Sequence, residues 1–258
     1  MKTYNEIKLA QELIRFPTIK TEDKGIMKFL SKKLTAIGFK CTLIKSKGTG
    51  PRPGLNLYAR YGKSKPHIMY LGHTDVVANL DNWKFPPFKA VVSKGYLNGR
   101  GAQDMKGGIA CWISAVSNFV KDVKFKGSIS IIISADEETT GYGCPAVMKY
   151  LRKKGEKIDF SVVGEPSSNK SVGDEIRIGR RGSMNGVITV YGKSGHSAFY
   201  GSYINPCTAL AKIVAKLKSS PLDNGTKYMP PSNLEFTKMN VENLSENVVP
   251  QTASAKFN

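Results

Sequence analysis

Four short stretches place histidine or acidic residues where apolar runs end. In IMYLGHTDVV, residues 68–77, the run breaks at Gly72-His73-Thr74-Asp75 and resumes at Val76. His73 and Asp75 are two positions apart, so in extended chain both project from one face. NGRGAQDMKGG carries Asp104 just ahead of a helical pattern, ISADEETTGYG carries Asp136, Glu137 and Glu138 after the apolar run ISIIIS, and VVGEPSS carries Glu165 directly after another such run. One imidazole and several carboxylates, with no lysine or arginine matched to them, repel one another if ionised together. A divalent cation removes that cost. Histidine with carboxylates fits zinc, with manganese or cobalt as substitutes. A carboxylate can bridge two metals in a hydrolytic site. Of the neighbours Glu137 and Glu138, one can bind metal while the other serves as general base on water. Each stretch alone also has a plain structural reading: Asp104 as a helix N-cap, Asp-Glu-Glu as a solvated turn, Glu165 as a loop acid before Pro166. Together they fit one rim, because the carboxyl ends of strands in an open α/β sheet form a ligand crevice.

The elements that must position these residues follow from periodicity. Apolar spacing predicts helices near 3–15, 24–37, 107–121, 143–154 and 204–218. Strands are expected near 39–45, 55–61, 67–72, 129–134 and 160–164. HIMYL and ISIIIS are apolar on both faces, as in a buried, largely parallel sheet. Alternating strands and helices make an α/β domain over 1–179. The texture then changes. MNGVITVYGKSG, the helix at 204–218, NLEFTKMNV and TASAKFN read as a smaller α+β unit over 180–258. KGTGPRPG, residues 47–54, reads as a loop. The last residues, ASAKFN, lie inside a strand pattern, so a fragment of a longer chain is expected.

Composition sets the partners. The chain has 258 residues and a formal net charge of +19. Its lysines are dispersed and no nucleic-acid motif accompanies them, so steering of a small anionic substrate is expected rather than nucleic-acid binding. No apolar run reaches the roughly 18 residues of a membrane span. The N-terminus lacks the apolar core and cleavage site of a signal peptide, which points to a cytoplasmic protein. Cys41, Cys111, Cys144 and Cys207 are far apart with no CxxC pair, as for free thiols. GRGAQDMKGG fits neither the dinucleotide fingerprint nor the P-loop, which discounts nucleotide binding.

GHTDVV, GRGAQDMKGG, ADEE, GEPSS and GRRGS followed by GHSA, in this order, resemble the M20 family of dinuclear zinc metallopeptidases and deacylases. The resemblance implies a zinc-peptidase-like catalytic domain with an inserted dimerisation domain, and a homodimer formed through the latter. It implies two zinc ions per subunit and hydrolysis of an amide in a small anionic substrate, as in deacylases and dipeptidases of the family. Carried over residue by residue, His73 and Glu165 bind one zinc, Asp104 bridges both, and Glu138 binds the second. Asp75 orients His73, and Glu137 is the general base. His196 reaches a partner subunit's site and stabilises the oxyanion. Arg180 receives a substrate carboxylate, with Ser183 and Asn247 as further substrate contacts. His67 matches no ligand and reads as a strand-end residue. The second metal of the family takes one more histidine, and no histidine follows His196. The chain alone is therefore expected to bind at most one zinc well and to hydrolyse poorly. Phe199-Tyr200-Gly201 and Glu246-Asn247 also depart from the family's usual residues.

Overall fold

A computed structural model describes residues 2–47, 53–78, 81–243 and 245–258. Most of the loop expected at 47–54 lies outside the described residues. The chain forms two compact units, Met1–Glu175 and Ile176–Asn258.

The first unit opens with two amphipathic helices, α1 (Glu6–Ile14) and α2 (Ile26–Thr35). Asn5 caps α1, its side chain accepting from Lys8 N at 3.0 Å. Strands β1 (Lys40–Ser46), β2 (Gly54–Gly62) and β3 (His67–His73) follow, then the small hairpin β4 (Val91–Ser93) and β5 (Tyr96–Asn98). A π-helical turn, Ala102–Lys106, leads into α3 (Gly107–Asp122); β6 (Ser128–Ser134), α4 (Gly143–Lys153) and β7 (Phe160–Val163) complete the unit.

The sheet order is β1-β2-β6-β3-β7. Only half of it is parallel. β3 runs parallel to β6 and to β7, but β1–β2 and β2–β6 are antiparallel. The expectation of a largely parallel sheet is corrected on this point. Strand β2 is as apolar and almost as buried as β3, and burial on both faces does not reveal which way a neighbour runs.

Three layers result. On one face, Leu57, Ala59, Tyr70, Ile129, Ile131 and Ile133 pack against Leu9 and Leu13 of α1, Met27 and Leu30 of α2, and Ile109 and Ile113 of α3. On the other, Tyr58, Met69 and Ile132 meet Val147 and Leu151 of α4. All seven residues of β6 are buried. At about 1.5–3 kcal/mol per fully buried aliphatic side chain, its four isoleucines fix the register of the whole sheet. Register then does the positioning. His73 lies opposite Ser134, and Leu71 opposite Val163, so β3, β6 and β7 end at one rim.

In the second unit, β8 (Gly186–Tyr191), β10 (Phe236–Asn240) and β12 (Thr252–Phe257) form an antiparallel sheet in the order β10-β12-β8. Helix α5 (Pro206–Lys218) covers one face through Leu210, against Ala253 and Ala255. A short pair, β9 (Gly195–His196) with β11 (Val248–Val249), stands apart from that sheet. Among the described residues no helix is long and apolar enough to cross a membrane.

Candidate metal centre

The rim of β3, β6 and β7 collects the chemistry. His73 ends β3 with its side chain 2% exposed, and Nε2 faces three carboxylates: Asp104 Oδ1 at 3.1 Å, Glu165 Oε1 at 3.5 Å and Glu137 Oε2 at 4.0 Å. Two groups of potential ligand atoms lie within 4.8 Å of one another, His73 with Asp104 and Glu138, and His73 with Glu137 and Glu165. Five of the residues singled out in the sequence are thus brought together. Asp104 belongs to the π-helical turn and is not an N-cap: α3 is preceded by Lys106 at that position, with no side-chain capping bond. Close approach shapes this corner. A Cβ at Gly107 would stand 2.2 Å from Ala102 O, and one at Gly164 would stand 1.9 Å from Tyr70 Oη. Only glycine lets the turn bearing Asp104 close, and only glycine lets the chain pass Tyr70 to deliver Glu165.

Asp75 is buried beneath the cluster and has two tasks. His73 Nδ1 lies 3.0 Å from Asp75 O and 3.5 Å from Asp75 Oδ1, which leaves Nε2 to face the carboxylates. Asp75 Oδ2 accepts from the backbone N–H of both Glu137 and Glu138, each at 2.9 Å. The aspartate thus holds the ring of one candidate ligand and the turn that presents two more. Asp136, the first acid of the Asp-Glu-Glu run, instead organises the turn. It accepts from Thr140 N at 2.8 Å and from the Thr140 hydroxyl. Replacing Asp75 by alanine is expected to loosen metal binding by about 10–100-fold, as loss of an outer partner typically does. The same change should lower the metal-free protein's stability by about 1–3 kcal/mol through two lost charge-assisted hydrogen bonds. Chelator competition and thermal unfolding read the two effects separately.

The electrostatics fit a cation. Burial alone pulls the His73 pKa down, but the hydrogen bond and charge of Asp75, with Glu165 and Glu137, lift it to about 9. In the metal-free protein a proton therefore serves as the positive charge, and a metal must displace it. Burial pushes the Glu138 carboxyl up, and the nearby charge of Asp104 adds to this. An imidazole nitrogen among crowded carboxylate oxygens is a donor set for zinc, manganese or cobalt.

The acids also have a cation nearby that the sequence reading missed. Lys106 is fully buried, and its Nζ donates to Phe16 O at 2.8 Å. Burial lowers its pKa to about 7, against the opposing pull of Asp75. The signal was a lone lysine between Met105 and Gly107 at the head of an apolar helix. Beside Asp104 and Glu138 opens a cleft of about 580 Å³, lined by Trp83, Arg100, Asn98 and Gln103 among others, with the Arg100 guanidinium 5.0 Å from the Trp83 ring centre. His67 is buried at the start of β3, its ring nitrogens 2.9 Å from Lys157 O and 2.7 Å from Ser130 Oγ, a satisfied structural histidine.

The remaining candidates lie in the second unit. Arg180 and Ser183 line a cavity of about 670 Å³ together with Arg181 and Asn258. Ser183 Oγ accepts from Asn258 Nδ2 at 2.9 Å. His196 and Asn247 are neighbours across the β9–β11 pair, with Asn247 Nδ2 and His196 Nε2 3.2 Å apart.

A three-layer α/β unit with one imidazole and four carboxylates gathered at the carboxyl rim of its sheet is the layout of a metal-dependent hydrolase. Comparison with known proteins agrees. Residues 69–257 match the peptidase family M20/M25/M40, and the chain belongs to that family. It is 49% identical to the succinyl-diaminopimelate desuccinylase of Pelagibacter ubique, over all of this chain and 68% of that one. It is 44% identical to the protein of the same name from Ehrlichia canis, over 98% of this chain and 67% of that one. The chain thus spans about two thirds of the length of these relatives. Among solved structures, an M20 family metallo-carboxypeptidase from Sulfolobus solfataricus matches with a TM-score of 0.68 at 18% identity, over 99% of this chain and 70% of that one. The Bacillus subtilis YXEP protein, described as a dinuclear metal-binding peptidase of the M20 family, matches with a TM-score of 0.63 at 16% identity, over 98% of this chain and 62% of that one.

Proposed function

We propose that the chain carries out the desuccinylation for which its relatives are named: N-succinyl-LL-2,6-diaminopimelate and water give LL-2,6-diaminopimelate and succinate, in the supply of diaminopimelate and lysine. The observation that carries this reading is 49% identity over the whole chain to a succinyl-diaminopimelate desuccinylase. The His73-centred cluster supports it independently, because its residues suit amide hydrolysis.

In this reading His73, Asp104, Glu138 and Glu165 would hold zinc, with cobalt or manganese as substitutes. When bound, zinc supplies Lewis acidity at the succinyl amide carbonyl. Glu137 does the proton work. Its carboxylate takes a proton from the attacking water as the new C–O bond forms, and returns one to the leaving nitrogen as the C–N bond breaks. Asp75 keeps the His73 ring and the Glu137 turn in place while this happens. The second unit serves as a lid and dimerisation domain, and His196 donates to the oxyanion in a partner subunit's site. Arg180, with Ser183, offers a forked donor to a substrate carboxylate. The substrate is polyanionic, and the charge of +19 favours its approach.

The test is direct. The chain is loaded with zinc and offered N-succinyl-LL-2,6-diaminopimelate or N-acetylornithine, and free amine is assayed. Release from the succinylated substrate with little from the acetylated one is expected. The opposite preference would overturn this reading.

A further inference from the structure

The second unit contains a hydrogen-bond arrangement that points beyond these roles. His196 is exposed at the end of β9, and its Nδ1 accepts the backbone N–H of Ala198 at 3.1 Å. A backbone N–H can only donate, so Nδ1 must be the ring nitrogen with the lone pair. The proton of the neutral imidazole is therefore on Nε2. The group facing Nε2, at 3.2 Å, is the side-chain amide of Asn247. A half-turn of that amide exchanges its oxygen and nitrogen without changing its outline. With the proton on Nε2, the oxygen must face the ring, and the NH₂ group turns to Ser245 Oγ, whose hydroxyl in the other orientation donates to the amide oxygen at 2.5 Å. The backbone makes this meeting obligatory. Val248 pairs with His196, Val249 with Gly195, and Ser197 N donates to Asn247 O at 2.8 Å. Ser194 Oγ closes the same corner by donating to Val249 O at 2.9 Å. Phe199 flanks the ring, 5.6 Å between centres.

We infer that Asn247 is a positioning residue that presets His196 as an Nε2–H donor for an anionic oxygen of the substrate. This rests on the reading of His196 given above, and it reassigns Asn247 from substrate contact to support. The amide is a placeholder acceptor. It satisfies the proton and fixes the ring plane in the free protein. It then yields to a charged oxygen, which accepts a hydrogen bond roughly twice as strong as a neutral one. Such a donor is aimed before substrate arrives, and that is where the advantage of preorganisation lies.

The test is nitrogen-15 NMR of the histidine rings in the zinc-free chain, which has three histidines; His196→Gln assigns the signal. The inference expects an unprotonated Nδ1, with a resolved Nε2-bound proton. In Asn247→Leu that proton signal is lost to exchange with water. Asn247→Asp keeps an oxygen acceptor and retains it. Backbone amide spectra confirm that the β9–β11 pair persists, as its bonds are main-chain. In the zinc-loaded chain, Asn247→Leu lowers kcat by roughly tenfold with little change in KM, a fraction of the 10²–10³-fold that removing an oxyanion donor costs. A proton on Nδ1 in the parent chain, or an unaltered Nε2 signal in Asn247→Leu, would sink the inference. Loss of KM alone would mark Asn247 as a substrate contact instead. The opposite substrate preference in the parent chain with the expected ring signals would count against the proposed reaction and leave the tautomer assignment standing.

Discussion

Substitution of Glu137 by glutamine is expected to cut hydrolysis by about 10²–10⁴-fold while leaving zinc uptake nearly unchanged, the loss typical of a removed general base. The geometry makes this a demanding experiment. Glu137 Oε2 is 4.0 Å from His73 Nε2, and Glu137 belongs with His73 and Glu165 to one of the two groups able to hold an ion. Distance alone permits it to be a ligand. Exposure separates it from Glu165, its side chain being 56% exposed against 18%, but not from Asp104 at 48%. A base must meet water, whereas a ligand gains from being enclosed. Glutamine keeps the shape and an oxygen for hydrogen bonding but cannot take up a proton. Measuring kcat and zinc affinity on the same preparation separates the roles. A fall in affinity equal to the fall in rate would make Glu137 a ligand and move the base elsewhere.

His73→Ala is expected to abolish tight metal binding. Nε2 of His73 is shared by both candidate groups, and one nitrogen has one lone pair. The groups are thus alternatives for the imidazole, and a second ion would be held by carboxylates alone. Removing the ring takes the only nitrogen ligand from both at once. The loss should exceed the roughly 10–100-fold that follows from deleting an outer partner such as Asp75. The change also removes the positive charge held among the carboxylates, so the metal-free protein should lose thermal stability too, most at pH below about 6.5 and progressively less as pH rises toward 9. Inductively coupled plasma analysis after gel filtration gives the stoichiometry. One zinc retained per chain in His73→Ala would mean that the carboxylates alone form the tight site.

The rim was readable in the sequence because central strands are buried on both faces. HIMYL and ISIIIS hold no acidic residue, so the carboxylates appear where those runs end, and the ends meet at one edge once β3 and β6 pair in parallel. Strand direction elsewhere was not readable. The antiparallel pairing of β2 with β6 depends on where the chain returns, not on side-chain pattern. The burial of Lys106 was hidden too, since a lysine next to glycines ordinarily marks solvent. Its destination, Phe16 O, is 90 residues away. The second task of Asp75 depends on backbone N–H groups at 137 and 138, which no residue type announces. The contact between His196 and Asn247 needed the β9–β11 pair, two residues in each strand, too short for any alternation to appear.

The position of β6 between β2 and β3 has a consequence for synthesis on the ribosome. Strand β3 pairs only with β6 and β7 among the described strands, so an emerging chain exposes the run ending at His73 until Ser134 has been made. That interval is 61 residues, the difference between 134 and 73. At about 5–20 residues per second it lasts roughly 3–12 s. Throughout it a seven-residue strand waits for a partner, and the histidine at its end waits for Glu137 and Glu165, two of the three carboxylates that its Nε2 will face. The catalytic rim is thus one of the last features of the first unit to take shape, completed only when Glu165 arrives.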